Sequence, residues 1–271
     1  MSDPRASLDS GHVKSCCADA YASDWAHLLL GDSFHPGGLA LTKRLGALMG
    51  LGRDSIVLDV ACGRGTSAIA IAQEFGCRVT GIDLSEANVA AAREVAARAG
   101  LADRVRFEVG DGEALPVEAG SVDAVICECA FCTFPDKTTA AGEFARVLRP
   151  GGVLGLTDLT REGEVAPELD SLLGWVACVA DAQPLDRYVE YLGAAGLIVS
   201  REERCDSALQ QMVSQVRLKL LAAEVAAKLG KLAVSLDDVQ TGKHLVRLAA
   251  DAVAAGTLGY ALLLARTPEG S

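Results

Sequence analysis

From Ser55 onward, short apolar runs alternate with stretches of helical periodicity. "SIVLDV" is a continuous apolar run ending in an acid, the pattern of a strand buried on both faces. "TSAIAIAQEFG" then reads as a helix closed by Gly76. "RVTGIDL" is a second strand, and "SEANVAAAREVAARAG" a second helix with Ser85 as N-cap and Gly100 at its end. "RVRFEVG", "VDAVIC" and "GGVLGLTDL" supply three more strands, with the helix "DKTTAAGEFARVL" between the last two, stopped by "RPGG". Such alternation predicts right-handed crossovers and a parallel sheet covered by helices on both sides.

Two helical regions frame this core. "DAYASDWAHLLLG" and "LALTKRLGALMG" read as helices joined by the turn "SFHPGG". After the strand "GLIVSRE", Leu209, Met212, Val213, Val216 and Leu220 recur at helical spacing, a stripe that reads as core packing. A second helix from about Leu236 to Ala255 follows, and "LGYALLLART" returns as a strand. No internal repeat, low-complexity tract or linker interrupts the chain.

Composition narrows the partners. Half of the 271 residues are hydrophobic and 23% are charged, as in a globular protein. The net charge of −11 without any Lys/Arg run makes nucleic acid an unexpected partner. The polar N-terminus shows no signal-peptide core. "LAADAVAAGTLGYALLLA", broken by Asp251, Gly256 and Gly259, reads as a helix end and a strand rather than a membrane span. The expectation is a soluble cytoplasmic protein. Its nine cysteines, an odd number without a secretion signal, are expected to be free thiols. Cys62, Cys77 and Cys205 are taken as small buried hydrophobes.

Chemistry enters at the first strand. "VLDVACGRGTS" puts Asp59 at the strand end and Gly63 and Gly65 in the turn to a helix, where backbone can approach an anionic group. "GRGTSA" fits the dinucleotide pattern, with Asp83 eighteen residues past Gly65 and placed to accept from ribose hydroxyls. A nicotinamide dehydrogenase would share these features. Asp59 discriminates, because a carboxylate repels a pyrophosphate but attracts a cationic amino-acid moiety. "GDGEALP" adds Asp111, a carboxylate able to accept from an adenine amino group.

With "VLDVACGRG", "GIDLS", "GDGEALP" and "VLRPGG" in order, residues 40 to 160 resemble the class I S-adenosylmethionine-dependent methyltransferases. Ala61 stands where many members carry the first glycine. The resemblance implies S-adenosylmethionine as cofactor, held by Asp59, Ala61, Gly63, Gly65, Asp83, Leu84, Asp111, Gly112 and Glu128. It also implies an α/β fold: a Rossmann-like, seven-stranded, mostly parallel sheet with helices on both faces, N-terminal helices and a helical insertion before the last strand. The expected organisation is one domain, with a helical lid over 1–53, a cofactor-binding core over 54–205, a helical insertion over 206–256, and the last strand and tail over 257–271.

Cysteines supply the acceptor side. "VICECAFCTFPDK" carries Cys127, Cys129 and Cys132 after the fourth strand, "LDSLLGWVACVADA" places Cys178 beside Trp175 on an expected helix, and "VKSCCADAY" holds Cys16 and Cys17. These positions resemble those of the arsenite methyltransferases. Counting back from "PDK", Cys129 stands at that family's arsenic-binding cysteine after strand four, with Glu128 replacing its Asn. Cys178 stands at the family's other arsenic-binding cysteine, and Cys16/Cys17 resemble its N-terminal pair, while Cys127 and Cys132 are extra.

Trivalent arsenic is soft and thiophilic, and its lone pair is already a nucleophile, so methyl transfer to it calls for placement and water exclusion rather than a general base. Against this, Glu128 would raise a neighbouring thiol's pKa. Each cysteine has the alternative of plain packing; Cys16/Cys17 are a third ligand or irrelevant, and Cys132 could replace them. A zinc site is poorly supported by C-x-C-x-x-C alone, and His12, His27, His35 and His244 lack ligand spacing. His35 reads as a turn residue that could cap the site.

The expectation is methyl transfer to a thiolate-bound metalloid, arsenite foremost, with Cys129, Cys178, Cys16 and Cys17 as catalytic thiols and Cys129 and Cys178 as metalloid ligands. The expected partners are the substrate and a cellular thiol reductant, with no nucleic acid or membrane. The alternatives are methylation of a small organic acceptor in secondary metabolism, or a thiol-rich protein that binds metalloid without consuming cofactor.

Overall fold

A computed structural model describes residues 35–169, 178–230 and 234–270. The first expected N-terminal helix, Cys16, Cys17 and Trp175 lie outside the described residues. Helix α1 (Gly38–Met49) leads to β1 (Ile56–Val60), α2 (Thr66–Phe75), β2 (Arg78–Asp83), α3 (Glu86–Arg98), β3 (Val105–Val109) and β4 (Val122–Glu128). Then come α4 (Lys137–Val147), β5 (Leu148–Arg161), α5 (Leu185–Ala194), β6 (Ile198–Arg204), α6 (Asp206–Lys228), α7 (Leu236–Ala254) and β7 (Leu258–Arg266). The seven strands lie in the order β3-β2-β1-β4-β5-β7-β6. Strands β1 to β5 pair in parallel, and β7 inserts antiparallel between β5 and β6. The expected mostly parallel α/β architecture is present.

Strand periodicity divides the core into two layers. Val57, Ile126, Val153 and Leu262 pack on one face with α1, α2 and α3, joined by Leu209 of α6 and Val253 of α7. Their neighbours Leu58, Val125, Leu154 and Leu263 face α4 and α5 on the other side. Along β4 this alternation sends Cys127 into the second layer, while Cys132 and Cys178 belong to the first, with Cys129 packed against it.

Local signals act as the sequence suggests. Ser85 Oγ accepts from the Asn88 N–H at the start of α3, and Gly76 closes α2 in a left-handed conformation. Helix α5 is an element that the apolar pattern left unassigned; its buried Tyr188 and Leu192 anchor it beneath the sheet. Another difference concerns Cys178, expected on a helix: it sits in a turn with φ +62°, and no helix covers residues 178–182. Helix α1 lies very close to the sheet. A Cβ on Gly155 would sit 2.5 Å from the Met49 sulfur, and one on Gly46 2.4 Å from the Phe75 ring. Only glycine at both positions lets α1 settle there, and so brings Thr42 to the end of β4.

Among the described residues, no helix is long and apolar enough to cross a membrane. In the expected stripe on α6, Leu209 and Leu220 are buried and Met212, Val213 and Val216 half-buried, consistent with a packing face.

Candidate active site

The carboxyl ends of β1, β2 and β4 converge on one rim, where ligands sit in open parallel sheets. After β1 the chain turns through left-handed conformations at Ala61 (φ +58°), Gly63 (φ +54°) and Gly65 (φ +78°). A Cβ on Gly65 would lie 2.4 Å from the Phe107 ring, so this turn is packed directly on β3. Ala61, not a glycine, pays roughly 1–2 kcal/mol for its conformation. Asp83 ties the turn to β2: its Oδ2 accepts from the Gly63 N–H (2.8 Å), and its Oδ1 from the Ser85 N–H (2.9 Å) and the Asn88 amide (3.3 Å). Carboxylate oxygens have two lone pairs each, so acceptance from a ribose hydroxyl remains open to it.

Two carboxylates behind this turn are only partly satisfied. Asp59 is 3% exposed and its Oδ2 has no hydrogen-bond partner. Its pKa is pushed well up, first by burial and then by the negative charges of Glu128 and Asp83. Glu128 Oε2 accepts from Ser67 Oγ (2.7 Å) and Thr42 Oγ1 (2.9 Å), with His35 Nε2 at 3.5 Å. The other oxygen, Oε1, is buried and partnerless. Two buried orphan carboxylate oxygens are costly unless a cation meets them. The cationic amino-acid end of S-adenosylmethionine fits that demand. The sequence reading flagged Glu128 only by position; the Thr42 and Ser67 hydroxyls that hold it, 86 and 61 positions away, carried no sequence signal.

The remaining expected cofactor residues line the same rim. Leu84 leaves an apolar side chain 40% exposed beside Asp83. Asp111 Oδ1 accepts from the Glu113 N–H at 2.9 Å, shaping the turn after β3. At Gly112 a Cβ would be 2.7 Å from the Phe134 ring, so this position has no room for a side chain.

Adjacent to Glu128 lies the thiol cluster. Cys129 adopts φ +54° and its N–H donates to the Thr157 carbonyl (2.6 Å), extending the β4–β5 ladder by one residue. Cys178, 49 positions away, donates its Sγ–H to the Cys129 carbonyl at 3.4 Å. Cys132 and Cys178 are buried, and Cys129 is half-buried. The Cys129 pKa is pushed well up, first by its hydrogen bond with Cys178 and then by burial. Burial is the first cause at Cys132.

Cys127 points to the other layer, away from this cluster. Cys62 and Cys77 are buried as expected, and Cys205 is half-buried against the core. All seven described cysteines are free.

Residues that the sequence reading did not flag brace the cluster. Asp158 accepts from the Cys132 N–H (Oδ2, 2.9 Å) and the Leu159 N–H (Oδ1, 2.7 Å), and burial pushes its pKa up to about 7. Lys137, 3% exposed, donates to the Cys132 and Phe134 carbonyls at 3.0 Å and pairs with Asp181. Among the described residues, no group of three or more His, Cys, Asp or Glu is arranged to hold a metal ion.

Residues 57–152 match the family model described as "Methyltransferase domain". The chain is 37% identical over 166 residues to 27-O-demethylrifamycin SV methyltransferase of Amycolatopsis mediterranei, covering 58% of this chain and 59% of that protein. It is 31% identical over 202 residues to an arsenite methyltransferase of Halobacterium salinarum, covering 70% of this chain and 51% of the relative. The chain thus spans between half and three-fifths of the length of these two relatives. Its fold superposes with a TM-score of 0.75 on phosphoethanolamine N-methyltransferase 2 of Haemonchus contortus in complex with S-adenosyl-L-methionine, at 21% identity over 98% of this chain and 59% of that one.

Proposed function

We propose that this chain, a class I S-adenosylmethionine-dependent methyltransferase, delivers a methyl group to a trivalent metalloid held by its own thiols, with arsenite the foremost substrate. The observation that carries the reading is the meeting of Cys178 Sγ with Cys129 next to the orphan carboxylates. The 31% identity to a protein named an arsenite methyltransferase supports it.

Asp59 and Glu128 would hold the cationic amino-acid end of the cofactor, Asp83 its ribose and Asp111 its adenine amine, with Leu84 flanking the ring. Gly65 and Gly112, each packed against a ring, and Gly63 would shape the turns that carry it, and Ala61 would aim the first turn. Bound S-adenosylmethionine supplies an electrophilic sulfonium methyl. The thiols would fix a pyramidal arsenic with its lone pair outward, so no side chain has to remove a proton for the transfer. Methylation raises the formal oxidation state of arsenic by two, so a thiol reductant would serve any further round.

A second reading, methylation of a small organic hydroxyl, draws on the 37% identity to the demethylrifamycin enzyme. One experiment separates them: product mass spectrometry with cofactor, a thiol, arsenite and a panel of small phenols, for wild type, Cys129→Ser and Cys178→Ser. The proposal expects methylated arsenic from wild type alone. Equal arsenic methylation by either variant, or methylated phenol without methylated arsenic, overturns it.

A further inference from the structure

His35 stands in the turn just before α1, and only 7% of it is exposed. Its ring reaches the pair of hydroxyls that hold Glu128. Nε2 lies 3.2 Å from Thr42 Oγ1 and 3.5 Å from both Ser67 Oγ and Glu128 Oε2. On the other side of the ring, Nδ1 lies 3.3 Å from the Pro36 carbonyl. A buried imidazole among oxygens has to carry its protons where those oxygens have none to give.

Counting hydrogens identifies the donor. A hydroxyl has one hydrogen. Thr42 gives its hydrogen to Glu128 Oε2 at 2.9 Å, and Ser67 gives its own to the same oxygen at 2.7 Å. Toward His35 both hydroxyls present lone pairs, as the carboxylate does. The three oxygens around Nε2 are thus all acceptors, so Nε2 carries a proton and donates it, with Thr42 Oγ1 as the nearest acceptor. A second proton on Nδ1, facing the Pro36 carbonyl, leaves that donor in place, so the assignment does not depend on the charge of the ring. Thr42 has a competing outlet for its hydrogen: the Gly38 carbonyl, one turn back on α1, at 3.5 Å. Helical threonines readily turn onto that i−4 carbonyl. A hydroxyl that accepts a hydrogen bond is a stronger donor to its own acceptor, and here the closer, negatively charged acceptor is Glu128.

Resting on the placement of the cofactor's cationic end at Glu128, we propose that His35 is a positioning residue for S-adenosylmethionine. Its Nε2–H donates to Thr42 Oγ1 and so aims the Thr42 hydroxyl at Glu128 Oε2. That oxygen then takes two hydroxyl hydrogens, while Oε1 is buried and without a partner. A carboxylate pinned by one oxygen offers the other to the ligand in a fixed direction. His35 therefore acts on the cofactor through Thr42 and Glu128, residues 7 and 93 positions away, and independently of what accepts the methyl group.

Two measurements on the full chain test this. Long-range proton–nitrogen correlation spectra of the histidine rings, with the His35 signals identified by their loss in His35→Gln, should show a protonated Nε2 in the cofactor-free wild type at neutral pH. A proton on Nδ1 alone overturns the proposal, whatever the variants do. Calorimetric titration with S-adenosylmethionine supplies the second measurement, on variants whose far-ultraviolet circular dichroism matches the wild type. His35→Leu and Thr42→Val should each raise the Kd about tenfold, the effect of one lost hydrogen bond in a chain that ends on a charged group. The double variant should be no weaker than Thr42→Val alone, because both changes cut the same chain. His35→Gln, which keeps an amide donor near the Nε2 position, should recover most of the loss. An unchanged Kd in His35→Leu, an equal loss in His35→Gln, or losses that multiply in the double variant overturns the positioning role and leaves the cofactor site standing. No binding by the wild type removes both.

Discussion

The two halves of the rim are built by opposite means. The cofactor half relies on glycines packed against rings and leaves two buried carboxylate oxygens, on Asp59 and Glu128, without partners. In the thiol half, cysteines take the left-handed conformations, and the carboxylate beside them, Asp158, accepts a hydrogen bond on each oxygen. The first half is electrostatically incomplete by itself and gains from a cation. The second is braced by hydrogen bonds before anything binds. One rim thus presents unmet negative charge on one side and free thiols on the other.

The comparison breaks most directly at Asp59. Asp59→Asn should remove an attraction worth up to about 4 kcal/mol for unit charges ~4 Å apart near a surface, roughly a thousandfold in cofactor Kd. The same change relieves a buried, like-charged neighbour of Glu128, so the cofactor-free protein should melt higher. Calorimetric titration and a melting curve together check this; weaker binding with a lower melting point would show that Asp59 is satisfied in the free protein.

Asp158 sharpens the contrast through pH. Its folded-state pKa, about 7, lies above the unfolded carboxylate value. The stabilisation from protonation is therefore fully present below about pH 4 and is lost as pH rises to 7. Relative to Asp158→Asn, the wild type should lose up to about 4 kcal/mol between those limits and nothing more above them. Asparagine gives up one acceptor oxygen, a constant offset, so the slope carries the information. Urea unfolding at a series of pH values measures it, and a flat difference would sink the assignment. Cofactor affinity should stay unchanged in this variant.

Two smaller changes probe the first turn. Gly65→Ala puts a Cβ 2.4 Å from Phe107 at φ +78° and should cost about 2–4 kcal/mol from strain and overpacking. Ala61→Gly relieves the strained residue while freeing the unfolded chain, and should stabilise by at most about 1 kcal/mol. Urea unfolding checks both, and a destabilising Ala61→Gly would mean that its methyl group packs usefully.

Much of the fold was legible because its signals are local. All seven strands and the Ser85 cap follow from residues within a few positions of one another, as does the turn at Gly63 and Gly65. The antiparallel insertion of β7 between β5 and β6 was not, since edge pairing is settled by contacts distant in sequence. Cys178 was expected on a helix and lies in a turn, its conformation set by tertiary neighbours rather than by the apolar period around it. Thr42 and Ser67 are ordinary first-layer helix residues in sequence; only the close seating of α1 and α2 turns their hydroxyls on Glu128.

Lys137 fixes the distance between two segments that are far apart in sequence. Its ammonium grips the loop that carries Cys132 and, 44 positions on, the carboxylate of Asp181 just past Cys178. One cation therefore gauges the gap between two sulfur-bearing segments. Replacing this lysine or its aspartate would untie the Cys132 loop from the segment that follows Cys178.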